Sequence, residues 1–117
     1  MSISLSPLRY PGGKSKIYSK IRDVIVKNDL CNRLYIEPFA GGFGVGLKLL
    51  KENIVKTAIL NDVDPHIYNF WHSVLYNTDD LLRLVRDTAV TDEERKNQKA
   101  IYNDKCAGIL YDGFATL

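Results

Sequence analysis

The sequence predicts an α/β fold in which parallel strands are flanked by helices and organised around one βαβ unit. Three observations between Leu34 and Pro65 predict it. The run Leu34-Tyr35-Ile36 is apolar and bounded by Glu37-Pro38, as a buried strand requires. A glycine cluster, Gly41, Gly42, Gly44 and Gly46, leads into Val45, Leu47, Leu49 and Leu50, which open a helix with an apolar face. A second apolar run, Ala58-Ile59-Leu60, ends in Asn61-Asp62. Strand, glycine turn, helix, strand and acid in this order is the layout of a right-handed crossover.

The remaining elements follow from local chemistry. Leu8-Arg9-Tyr10-Pro11-Gly12-Gly13-Lys14 is a turn, because Pro11 fixes φ and Gly12-Gly13 permit positive φ. Lys14 opens a helix whose buried face is predicted to carry Ile17, Ile21, Val24 and Ile25, with an end at Asn28-Asp29. Beyond the central unit, Pro65 suits a first helical turn. Ile67, Phe70, Trp71, Val74 and Leu75 form the apolar stripe of that helix, with Trp71 in the core. Asp79 or Asp80 is placed to cap another helix bearing Leu81, Leu82, Leu84 and Val85. Thr91-Asp92-Glu93-Glu94 has the pattern of a capping box for a polar helix through about Tyr102.

From Ala107 to Leu117 the sequence turns apolar and stops as though an element were starting, where a polar tail is usual. Two parallel strands also need more sheet and more helices to cover their faces. Both features lead to the expectation that the polypeptide is a fragment, or is completed by a partner.

With 117 residues the chain fits one small domain or part of a larger one. Its 45% apolar and 26% charged residues are those of a soluble globular protein. No apolar run approaches the ~18 residues that span a membrane, and the N-terminus has no signal-peptide pattern. Cys31 and Cys106 are too few for a disulfide framework, which points to a reduced, cytoplasmic setting. The net charge of +2 predicts no partner by itself. Basic residues do cluster early, at Arg9, Lys14, Lys16, Lys20, Arg22, Lys27 and Arg33. Charge alone leaves two readings of that cluster open, a face for a phosphate backbone or an ordinary solvated helix surface.

Chemistry concentrates in the central unit. Glycines let a ligand approach the backbone, and a helix N-terminus offers unpaired N–H groups. Asp62 lies 20 positions after Gly42, close to the roughly 20 at which an acid meets ribose hydroxyls in nucleotide sites. The alternative is that the glycines serve only close packing of helix on strand. A dinucleotide is disfavoured, because Glu37-Pro38-Phe39 stand between strand and glycines and Glu37 would repel a pyrophosphate. Near a cationic ligand, an amine or a sulfonium, the same carboxylate is favourable; otherwise it caps the loop backbone. Tyr10 and Lys14 suit a pocket wall, by stacking and by charge, or else simple packing and solvation. His66 and His72 stand near Asp62 and Asp64, but their spacing fits no known ligand set, and no metal is assigned.

Three segments, Tyr10-Pro11-Gly12-Gly13-Lys14, Glu37-Pro38-Phe39-Ala40-Gly41-Gly42 and Asn61-Asp62-Val63-Asp64-Pro65, resemble successive N-terminal motifs of the Dam-like adenine-specific DNA methyltransferases. Those enzymes use S-adenosylmethionine. The resemblance covers Leu8 to Leu75, and Gly113-Phe114-Ala115-Thr116-Leu117 is similar to members that continue into a longer segment. It implies a Rossmann-like S-adenosylmethionine-dependent methyltransferase fold, incomplete here, with residues 1–117 as the N-terminal cofactor-binding portion. It also implies that Tyr10 and Lys14 line the cofactor's methionine end and that Glu37, Pro38, Phe39, Ala40, Gly41 and Gly42 wrap the same end. Asp62 would hold the ribose hydroxyls and Val63 would lie alongside the adenine. The implied reaction moves a methyl group to the exocyclic amine of adenine in double-stranded DNA, as in restriction-modification.

Two departures qualify the resemblance. A small residue is usual where Phe43 stands, which implies a loop of different shape or a partly filled pocket. The family's catalytic Asp-Pro-Pro-Tyr is absent, as is a DNA-reading region, so no catalytic residue is assigned and the chain alone is expected to be inactive. Two other classes remain open: a fragment of a different nucleotide-binding enzyme, or a non-catalytic module that binds DNA or a partner. Self-association through the unfinished sheet belongs to the second.

Overall fold

The computed structural model describes residues 5–8 and 17–117. Its elements are α1 (Tyr18–Lys27), β1 (Leu34–Glu37), α2 (Gly44–Lys51), β2 (Thr57–Leu60), α3 (Pro65–Tyr76), α4 (Thr78–Asp87), α5 (Asp92–Tyr102) and α6 (Ile109–Thr116). They fall into two compact units, one ending at Asp62 and the next beginning at Val63.

The first unit holds the predicted strand–helix–strand. β1 and β2 pair in parallel, with Leu34 opposite Thr57, Tyr35 opposite Ala58, Ile36 opposite Ile59 and Glu37 opposite Leu60. The strands were expected to be buried, and the structure corrects this. Tyr35, Glu37, Ala58 and Leu60 are half-buried, whereas Leu34, Ile36 and Ile59 are each more than half exposed. Side chains alternate across a strand, so a parallel pair covered on one face leaves the other set in solvent.

The core of this unit is Tyr18, Val45, Leu49 and Val55, with Ile21, Ile25, Tyr35, Leu50 and Ile54 packed against it. The buried face of α1 also departs from expectation, since Ile17 and Val24 are exposed. Two helical stripes overlap in this sequence, and the one through the buried Tyr18 and the half-buried Ile21 and Ile25 faces the core. Tyr18 brings interactions that a valine cannot. Its hydroxyl donates to Glu52, and Lys48 Nζ lies 4.5 Å from its ring centroid. The helix stops where foreseen: Asn28 N–H donates to Val24 O and Asp29 turns to φ 58°.

In the second unit α3 and α6 pack most closely. Gly113 makes this possible, because a Cβ there would lie 2.7 Å from both the Asn69 carbonyl oxygen and Ser73 Oγ. The buried Ser73 hydroxyl donates to Asn69 O at 2.8 Å. Of the predicted stripe of α3, Ile67, Phe70 and Trp71 are buried and Val74 is half-buried, whereas Leu75 is 55% exposed. Asp64 caps α3 by accepting the His66 N–H at 2.9 Å, with Pro65 in the first turn. Thr91 caps α5 by accepting the Glu94 N–H at 3.1 Å. The predicted cap of α4 is wrong: Asn77 is the N-cap, and Asp79 and Asp80 lie in the first turn, where their charge suits the helix dipole.

Candidate functional site

The predicted residues of the first unit meet at the loop between β1 and α2. This loop is tied to the end of β2 by backbone bonds. Asn61 N–H donates to Glu37 O at 2.9 Å, and Ala40 N–H donates to Asn61 O at 2.8 Å, extending the parallel ladder past both strands. Phe43 N–H then closes a turn onto Ala40 O at 2.7 Å. Ala40, Gly41 and Gly42 are buried, while Pro38 and Phe39 are exposed at the rim.

Two residues in this loop adopt left-handed backbone. Gly41 has φ 51°, which costs a glycine little. Phe43 has φ 53°, which costs a bulky residue about 1–2 kcal/mol. Burial of the Phe43 ring offsets that strain, since the residue is only 4% exposed. The ring lies over Gly46, where a Cβ would collide with it, and its centroid is 6.5 Å from that of Tyr35. The glycines therefore divide their work: Gly41 supplies a backbone conformation and Gly46 supplies close packing.

Asp62 reaches this loop from the tip of β2. Its Oδ2 accepts the Gly41 N–H at 2.9 Å. The carboxylate is half-buried and sits at the glycine turn. Glu37, at the tip of β1, is also half-buried, and its Oε2 accepts a hydrogen bond from the Tyr35 hydroxyl at 2.8 Å. Tyr35 was not singled out from sequence, because it reads as strand core. The only available signal was its place two residues before Glu37, on the same strand face. Burial moves ionisation of the Tyr35 phenol to higher pH, and the bond to Glu37 and its charge move it further, so the hydroxyl stays a donor.

The arrangement places two carboxylates at adjacent strand tips beside a buried glycine turn. Chemically it can accept bonds from hydroxyls or amines and favours a cation over an anion. Tyr10 and Lys14 lie outside the described residues. Val63, expected beside an adenine, opens the second unit and is 82% exposed.

The second unit has its own polar cluster. His66 Nδ1 and the buried Asp112 Oδ1 are 2.7 Å apart, and Asn69 Nδ2 donates to Asp112 Oδ2 at 2.7 Å. The His66 ring stacks on Tyr102 with centroids 3.7 Å apart. Burial first, and then the charges of Asp64 and Asp112, raise the Tyr102 phenol above its ordinary value. His66 is thus committed to a tie between α3 and α6. Among the described residues no group of three His, Cys, Asp or Glu could hold a metal ion. A largely apolar cleft of about 650 Å³ lies in this unit, with Val90, Gln98, Tyr102 and Phe114 among its walls. None of the sequence-predicted site residues lines it. Among the described residues no helix is long and apolar enough to cross a membrane.

Comparison with known proteins gives a family. Residues 10–105 match the D12 class N6 adenine-specific DNA methyltransferase family. The chain is 30% identical over 100 residues to the Type II methyltransferase M.MjaIII of Methanocaldococcus jannaschii. That alignment covers 81% of this chain and 35% of the relative, so the chain spans about a third of the curated protein it matches. No solved structure matches the chain.

Proposed function

The chain belongs to the D12 class of N6 adenine-specific DNA methyltransferases, and on that premise we propose that it is the part of such an enzyme that binds S-adenosylmethionine. The observation that carries this reading is the Asp62 carboxylate seated on the N–H of Gly41, at the mouth of the glycine turn. Asp62 holds the ribose hydroxyls. Glu37 favours the cationic methionine end, and the loop from Pro38 to Gly42 wraps it, with Tyr10 and Lys14 as further walls. Val63 lies along the adenine. The donor set supports this cofactor, because among the described residues carboxylates stand at both strand tips beside the loop and the ligand carries a sulfonium and an amine. We assign the α/β core to the Rossmann-like class, as the layout of strand, glycine turn, helix, strand and acid supports.

When bound, S-adenosylmethionine supplies an electrophilic methyl group, and the protein contributes positioning. The acceptor is the exocyclic amine of adenine in double-stranded DNA, and the base leaves the stack to be reached. The Asp-Pro-Pro-Tyr that receives such a base is absent from this sequence. Residues 1–117 alone are therefore inactive. The experiment is calorimetry with S-adenosylmethionine and with a nicotinamide dinucleotide, beside a methyl-transfer assay on adenine-containing duplex. Binding of the first ligand only, without turnover, is expected. Preference for the dinucleotide, or robust methylation, overturns the reading.

The exposed apolar set Leu34, Ile36 and Ile59 favours a second role beside this one, self-association through the sheet. Sedimentation of wild type against Ile36→Lys tests it, with dissociation of a wild-type oligomer as the supporting result.

A further inference from the structure

We infer that Tyr35 is a positioning residue for Glu37, holding its carboxylate in the orientation that receives the cationic end of the cofactor. This rests on the cofactor reading above and adds a residue to it that no motif contains. The argument starts from the strand. Tyr35 and Glu37 are two apart on β1, so their side chains share one face. That face is the half-buried one, and the hydroxyl meets Glu37 Oε2 at 2.8 Å.

A glutamate side chain has rotamer freedom that a ligand must remove on binding. The phenol removes much of that freedom beforehand. The Tyr35 ring is itself held, because it packs on the core of the unit and beside Phe43. The fixed points therefore run from the buried Phe43 ring, through Tyr35, to the Glu37 carboxylate. The phenol also keeps its proton at all ordinary pH, because burial and the adjacent carboxylate oppose its ionisation. It acts as a neutral donor that orients the negative charge without cancelling it. A phenylalanine would fill the same space and lack only the oxygen, which makes Tyr35→Phe a clean probe.

The test is calorimetry of wild type, Tyr35→Phe, Glu37→Gln and the double variant. The probes are S-adenosylmethionine and 5′-methylthioadenosine, a neutral nucleoside without the methionine end. Tyr35→Phe is expected to weaken S-adenosylmethionine about two- to tenfold, the effect of loosening one side chain, and to leave 5′-methylthioadenosine unchanged. In the Glu37→Gln background it is expected to add nothing. Equal losses for both probes, or full additivity of the two substitutions, identify a merely structural role and overturn the inference. Unchanged binding of both probes by Tyr35→Phe overturns it too, and leaves the cofactor reading intact. If wild type binds neither probe, the cofactor reading falls and this inference falls with it.

Discussion

The Asp62 carboxylate accepts a 2.9 Å hydrogen bond from the backbone N–H of Gly41, which joins the tip of β2 to the glycine turn after β1. One group thus shapes the loop and presents charge at its mouth. Asp62→Ala is expected to cost about 1–2 kcal/mol of stability, the usual loss when a backbone N–H loses a charged acceptor. Asp62→Asn keeps an acceptor and is expected to recover most of that loss, measured by urea unfolding. Both variants are expected to bind S-adenosylmethionine at least about tenfold more weakly, the loss of one well-made polar contact. Wild-type affinity in Asp62→Ala would remove this residue from the site.

The Phe43–Gly46 stack makes a sign reversal. Gly46→Ala places a methyl group against the Phe43 ring and is expected to destabilise wild type by about 1–3 kcal/mol. In a Phe43→Ala background the obstacle is gone, and α2 gains about 1 kcal/mol from alanine over glycine. The same substitution is then expected to stabilise. Thermal unfolding of the four proteins reads the coupling directly, and equal effects of Gly46→Ala in both backgrounds would contradict the packing described.

Gly113 is expected to tolerate no side chain. A Cβ there meets the Asn69 backbone carbonyl at 2.7 Å, which cannot yield as a flexible side chain would. Gly113→Ala is expected to cost about 2 kcal/mol or more by forcing α3 and α6 apart. Trp71, the sole tryptophan, is buried on α3 and reports the change by fluorescence. An emission spectrum and denaturation midpoint matching wild type would count against the close helix contact.

Tyr18 makes folding sensitive to alkali. Burial, and then the bond to Glu52 and its charge, push its phenol from 10.0 to about 12 in the folded state. The proton is held more tightly when folded, so stability from this group is constant below pH 10. It is lost as the pH rises from 10 to about 12, because the unfolded chain ionises first. Denaturant titrations at pH 9, 10.5 and 11.5 are expected to show a shallower decline for Tyr18→Phe than for wild type. Parallel slopes would show that Tyr18 does not titrate differently on folding.

The local geometry of the candidate site was legible because its determinants are local. The alternation of strands, the glycine turn and the acid at the tip of β2 depend on backbone chemistry that residue types announce, and Asp62 meets Gly41 as that pattern requires. What failed depended on tertiary neighbours or on packing between elements. Burial of β1 and β2 was misjudged because an apolar run does not say how many faces are covered. The face of α1 was misjudged because two stripes overlap and a tyrosine hydroxyl chose between them. The cap of α4 was misplaced because Asn77 ends α3 and begins α4 at once, with no loop to announce a start. Tyr35 escaped notice because an ordinary strand tyrosine and a carboxylate holder look alike until the distance is known.

The ring of Phe43 over Gly46 also imposes a chronology on descent. A side chain gained at position 46 before Phe43 shrinks carries the destabilisation described above, whereas the reverse order avoids that clash. Once both have changed, restoring the phenylalanine first meets an occupied space, so the order of the two changes governs the stability of each intermediate.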